Sequence, residues 1–134
     1  MRQPTPDPGV PPAGPLIAIV GVCAAGKSTL AAGLRARGHN ARGILQEHSY
    51  VPTMWQRITR PDVLIYLDAS LDTVRRRRHD PGFPADLYEQ ELIRLRHARA
   101  HCHLYIDTDA LTPAEVLAAA VAGLSRQGIM PHSP

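Results

Sequence analysis

The stretch Gly21-Val22-Cys23-Ala24-Ala25-Gly26-Lys27-Ser28-Thr29 limits this chain more than any other. It has the form G-x-x-x-x-G-K-[ST]. The apolar run Leu16-Ile17-Ala18-Ile19-Val20 precedes it, and a segment with Leu30 and Leu34 on one helical face follows. Strand, glycine-rich loop and helix in that order place backbone N–H groups around one cavity at the positive end of a helix. Such a nest suits phosphate oxygens. All nine residues, Gly21 to Thr29, are therefore candidates to bind a nucleoside triphosphate, with ATP and Mg²⁺ the expected cofactors. Lys27 is expected to reach the β- and γ-phosphates, Ser28 to ligate Mg²⁺, and Thr29 to meet the α-phosphate. The composition sharpens the point. Of 15 basic residues, Lys27 alone is lysine.

The rest of the chain alternates strands and helices. Residues 1–15 hold six prolines and read as a disordered tail, and 129–134 read as a second tail. Between them, residues 16–128 form one domain. Strands are expected at 16–20, 41–47, 63–68 and 104–107. Helices are expected at 28–37, 71–79, 87–101 and from Thr112 to Arg126, with a weak helical segment at 54–59. Ser70 can cap the helix at 71, and Asp86 with Glu89 the one at 87. Thr112-Pro113-Ala114-Glu115 is a capping box with proline at the first helical position. The expected fold is α/β: three layers, with a mostly parallel sheet of about four strands. Ligands in such sheets bind at the carboxyl ends of the strands.

Composition excludes several classes. A net charge of +3 is mild and disfavours a nucleic-acid surface as the main role. Two cysteines make no disulfide framework, so a reducing, cytoplasmic setting is expected. No apolar run is long enough for a membrane span, and the amino terminus lacks the apolar core of a signal peptide. There is no N-K-x-D or D-x-x-G motif of a GTPase switch.

The loop, the passage Val63-Leu64-Ile65-Tyr66-Leu67-Asp68-Ala69-Ser70 leading into Arg75–Arg78, and Leu104-Tyr105-Ile106-Asp107-Thr108-Asp109 followed by Thr-Pro-x-Glu together resemble P-loop kinases of the nucleotide-kinase and shikimate-kinase type. The resemblance spans about residues 16–127. It implies a P-loop NTPase-like fold and a small Mg²⁺-dependent phosphotransferase acting on ATP and a small-molecule acceptor. It also implies lid arginines that reach the phosphates. The rival readings are a nucleotide-binding sensor module without efficient transfer and a nucleic-acid end kinase or binder.

Several side chains are candidates for the remaining chemistry. Asp68 ends an apolar strand, the pattern of a Mg²⁺-holding aspartate. Glu47 is a candidate base for an acceptor hydroxyl, or an alternative Mg²⁺ group. Among the four arginines, helical periodicity favours Arg78 and Arg75 as the phosphate-neutralising residue, while the family's spacing leans to Arg76 or Arg77. Arg78 is the choice carried forward as catalytic, with Lys27 and Glu47. Arg94, Arg96 and Arg99 pose the same question one helix later. His97, His101, Cys102 and His103 have the residue types of a metal site but lack a second ligand pair at zinc spacing. Met54 and Trp55 are either acceptor-pocket walls or a core plug.

Overall fold

The computed structural model describes residues 14–131. Most of the proline-rich tail expected at 1–15, and the last three residues of the chain, lie outside them. Four strands, β1 (Leu16–Gly21), β2 (Asn40–Gly43), β3 (Val63–Asp68) and β4 (Leu104–Asp107), make one sheet in the order β2-β1-β3-β4. Every pairing is parallel. Five α-helices connect and follow the strands: α1 (Lys27–Ala36), α2 (Met54–Ile58), α3 (Leu71–Arg77), α4 (Ala85–His101) and α5 (Pro113–Arg126). The protein is therefore α/β with an all-parallel sheet, an arrangement compatible with three layers.

Burial explains why β1 and β3 sit in the middle. Ile17, Ala18, Ile19 and Val20 are fully buried, as are Leu64, Ile65 and Leu67. Strands that are apolar on both faces must be covered on both faces. Helices α1 and α5 pack on each other, and α4 packs against β1 and β3. The edge strands are short and more polar: Arg42 and Gly43 of β2 are exposed, as are Tyr105 and Asp107 of β4. Among the described residues no helix is long and apolar enough to cross a membrane.

The second strand is shorter than the sequence suggests. Pairing ends at Gly43, with one further bond from Ile44 N–H to Ile19 O (2.8 Å). The chain then turns into a 3-10 segment, Gln46–His48, leaving Leu45 60% exposed. The cause is Gln46, which is fully buried. Its amide nitrogen donates to Val51 O (2.8 Å) and its carbonyl accepts from Trp55 N–H (2.8 Å). Those partners lie on the following loop and on α2, so a strand through Gln46 would leave its amide unsatisfied. Trp55 plugs the core and also edges a surface cleft with Arg57, Arg60 and His103, which shares no lining residue with the cavities at the glycine loop. It is 6% exposed and its Nε1–H donates to His97 Nδ1.

The three capping expectations divide. Ser70 accepts from Thr73 N–H, and the Thr112–Glu115 capping box forms at both hydrogen bonds. The Asp86/Glu89 pair does not cap: α4 begins two residues earlier, at Ala85, with Pro84 before it and no side-chain cap. The tail expected from 129 begins later, because Ile129 packs on the core and its N–H donates to Leu124 O.

Candidate functional site

The loop between β1 and α1 is built by two glycines with different tasks. At Gly21 a Cβ would sit 2.3 Å from Leu67 O, so only glycine lets β1 approach β3 as the chain leaves the sheet. Gly26, at φ 98°, is the left-handed residue that turns the loop into α1. Ala24 also adopts a left-handed conformation, φ 61°, which costs a non-glycine residue free energy. Its carbonyl accepts from Arg77 (3.1 Å), a contact that steadies the strained turn.

Lys27 opens α1 and is 8% exposed. Its ammonium donates to Gly21 O (2.9 Å) and Val22 O (3.0 Å) and pairs with Glu47 Oε2 at 2.7 Å. Glu47 comes from the 3-10 segment after β2 and is 1% exposed. Its second oxygen, Oε1, is buried and accepts no hydrogen bond among the described residues. An unpartnered buried carboxylate oxygen is costly. Glu47 lines a cavity of about 290 Å³ together with Ser28 and Thr29. Two hard oxygen donors, one anionic and in want of a partner, suit a divalent cation such as Mg²⁺.

A second carboxylate reaches the loop from α4. Glu91, on α4 and 1% exposed, accepts the Cys23 N–H at 2.8 Å. Burial, and then the Glu91 charge beside it, push the Cys23 thiol up to about 11. Cys23 is thus a neutral thiol near pH 7 and not a nucleophile. Three residues after Glu91, Arg94 donates to Glu47 O (3.2 Å) and lies 4.5 Å over the Tyr50 ring. Tyr50, Pro52, Gln90, Ile93 and Arg94 line a surface cleft of about 240 Å³.

On the α5 side of the loop is a more enclosed cavity of about 320 Å³, walled by Gly26, Leu30, Arg77, Thr108, Leu111 and Pro113 among others. Ala24, Gly26 and Thr29 line both this cavity and the one that holds Glu47. Arg77 is locked by Thr108 O (2.7 Å), Thr108 Oγ1 (3.0 Å) and Ala24 O. Thr108 Oγ1 in turn donates to Asp68 O (2.7 Å). The result is a guanidinium plane held in one orientation on the cavity wall.

The structure brings Lys27, Ser28, Thr29, Glu47 and the loop together. It does not bring Asp68 to them. The Asp68 carboxylate accepts from Ala69 N–H and from the Tyr105 hydroxyl, and it lines neither cavity. Of the two carboxylates considered for Mg²⁺, Glu47 is the one beside Lys27, because the turn at Gln46–His48 swings it there. Arg78 also lines neither cavity, although its charge is close enough to act on Cys23. It is exposed and stacks on Phe83 at 4.9 Å, while Arg75 ties down the same turn through Phe83 O (2.8 Å). Helix α3 instead presents Arg77, three residues beyond buried Val74. Arg99 lies over the Tyr66 and Tyr105 rings, and Arg96 is exposed.

The histidines are engaged within the protein. His97 accepts from Trp55, His101 meets His97 O, and His103 Nδ1 accepts from Leu64 N–H. Among the described residues no group of three or more His, Cys, Asp or Glu could hold a metal ion. The sequence reading missed Glu91 and Thr108, and placed Arg77 behind Arg78. Glu91 carried a signal: it stands three residues after Tyr88 and four before Leu95, so a glutamate sits on the apolar stripe of α4. Neither a family model nor a curated protein matches this chain.

Proposed function

We propose that the protein binds a nucleoside triphosphate, ATP being the reference ligand, on a P-loop NTPase-like fold, and transfers its terminal phosphoryl group to a small acceptor. One observation carries the reading. Ala24, Gly26 and Thr29 line both cavities, so in this reading one elongated ligand lies along the loop with a ring at one end and a chain of anions at the other. The α5-side cavity takes the flat ring between the fixed Arg77 plane and the Leu111/Pro113 wall. The other end takes the phosphates, with Lys27 and the loop amides as cationic and hydrogen-bonding partners.

Ser28 and Glu47 are the groups that would hold Mg²⁺, which supplies charge neutralisation at the phosphates. Glu47 has two tasks in this scheme. Through Oε2 it holds Lys27 beside the loop. Through Oε1 it offers an acceptor either to the cation or to the proton of an acceptor hydroxyl. The cleft of Tyr50, Ile93 and Arg94 borders Glu47 and is the entry we assign to the acceptor, since Arg94 ties it to the Glu47 backbone. The loop, two faces of the sheet's carboxyl edge and a fixed arginine suffice for phosphoryl transfer, which relies on positioning and charge.

The test is calorimetric binding of ATP with Mg²⁺ to the wild-type chain and to Lys27→Ala, followed by ADP release with a panel of small hydroxyl and carboxylate acceptors. Lys27-dependent binding and acceptor-stimulated turnover are expected. Binding without acceptor stimulation replaces transfer by nucleotide sensing. No Lys27-dependent binding removes the reading altogether.

A further inference from the structure

The loop that is read as a phosphate site already holds two of the protein's own carboxylates. Glu47 sits on the Lys27 ammonium at 2.7 Å, and Glu91 sits on the Cys23 N–H at 2.8 Å. They come from different elements and both are 1% exposed. Glu47 has a place in the proposed chemistry. Glu91 has none, yet it is a buried acid on a helix stripe that otherwise carries Tyr88, Leu92 and Leu95.

We infer that Glu91 is a specificity-determining residue, an internal anion that any phosphate coming to the Cys23 N–H must displace. The inference rests on the reading of the loop as a polyphosphate site. Its physical basis is a competition. A charged acceptor holds a backbone N–H about twice as strongly as a neutral one. An entering phosphate oxygen needs the same N–H, and it also meets the Glu91 charge in a poorly solvated place. Lys27 is paired with Glu47 and Arg77 is engaged by Ala24 O and Thr108, so the cation left to offset Glu91 at the Cys23 N–H is Arg78, which is exposed and screened by solvent. Free polyanions are therefore disfavoured, and polyphosphates whose charge is reduced by a bound divalent cation are selected. The ligand class that follows is the metal complex of a polyphosphate, not free phosphate or a metal-free polyphosphate. Three elements meet at the Cys23 end of the loop: α4 gives Glu91, the α3 end gives the Arg78 charge, and α1 gives Lys27. Of these only Glu91 accepts the N–H.

The experiment compares the wild-type chain, Glu91→Gln and Glu91→Ala. Inorganic tripolyphosphate is titrated calorimetrically, once with excess chelator and once with Mg²⁺, and adenosine serves as an uncharged control. Thermal unfolding is followed for each variant. Glu91→Gln should bind metal-free tripolyphosphate about tenfold more tightly than wild type. The ratio of Mg²⁺-loaded to metal-free affinity should shrink by the same factor, with adenosine unchanged. Glu91→Ala should show the same gain even if it melts lower. A residue that only props the loop open behaves otherwise: both substitutions then weaken every ligand. That result, or unchanged tripolyphosphate affinity in Glu91→Gln, overturns the inference. So does failure of all three chains to bind tripolyphosphate. The two readings fail separately. Lys27-dependent binding of ATP with Mg²⁺ and no gain in Glu91→Gln leaves the function standing and removes the role of Glu91.

Discussion

The two ends of the site are built on opposite plans. At the α5 end every hydrogen bond from Arg77 closes on the protein, and the wall is fixed before anything enters. At the Lys27 end the polar groups are compensated by internal charges, and one buried carboxylate oxygen, Glu47 Oε1, is left over. The first plan gives shape, the second gives charge that can be exchanged. A nucleotide bound as proposed would find its ring position settled and its anion position contested. Selectivity for the ring should rest on fit, and selectivity for the anionic part on electrostatics.

The sharpest way to break this contrast is at Lys27. Lys27→Ala should cost the loop at least about a hundredfold in affinity for ATP with Mg²⁺, consistent with loss of a desolvated charge-assisted contact. It should also lower stability by about 3 kcal/mol, because Glu47 is left buried without its partner. Pairing it with Glu47→Gln should restore much of the stability and none of the binding. Urea unfolding and calorimetry read the two effects apart. If the single and double variants are equally stable, the ion pair is not what holds this end together.

Gly21→Ala tests the junction that both ends share. A Cβ 2.3 Å from a main-chain oxygen cannot be relieved by a rotamer change, so about 2–3 kcal/mol of stability should be lost. A near-neutral result would show that β1 and β3 can separate at Leu67.

Arg77→Met sharpens the other half. Removing the guanidinium strands the Thr108 and Ala24 carbonyls, and about 1–2 kcal/mol is expected from unfolding measurements. Adenosine should bind severalfold more weakly, while tripolyphosphate binding stays close to wild type. Equal losses for both probes would mean the two ends are not independent.

The smallest effect concerns Cys23. Its thiol is raised from about 9 to about 11, so in a Cys102→Ser chain its alkylation should stay slow through pH 9 and accelerate toward pH 11. The sign for stability follows. The folded value lies above the unfolded one, so the contribution is complete below pH 9 and is lost as pH rises through 11. Glu91→Gln should shift the alkylation profile to lower pH, since the Glu91 charge contributes to the rise. An unshifted profile would leave burial as the sole cause.

Much of this architecture was legible in the sequence because it depends on local pattern. Apolar runs gave β1 and β3, and the Thr-Pro-x-Glu box gave the start of α5. The loop could be read because its glycines, lysine and hydroxyls are contiguous. What was not legible depends on side chains meeting across the chain. Asp68 has the right position on its strand, but the Tyr105 hydroxyl takes its carboxylate. Glu47 was foreseen as an acid near the site, yet its placement on Lys27 follows from Gln46 pulling the chain out of the sheet. Arg78 and Arg77 differ by one residue in a helix that ends there, and periodicity alone does not separate them. Glu91 was hidden by the habit of reading glutamate on a long helix as solvated.

The contacts that complete the loop have a consequence for the order in which the chain is made. Cys23 meets Glu91 across 68 residues and Ala24 meets Arg77 across 53. A nascent chain that has just produced α1 and β2 holds Lys27 and Glu47 but neither of these tethers. The strained turn at Ala24 gains its support only when α3 and then Thr108 have been synthesised. With its central strands paired across long intervening segments, the sheet also forms slowly relative to its helices. The glycine loop, made before α3, α4 and Thr108, is thus completed only after all three.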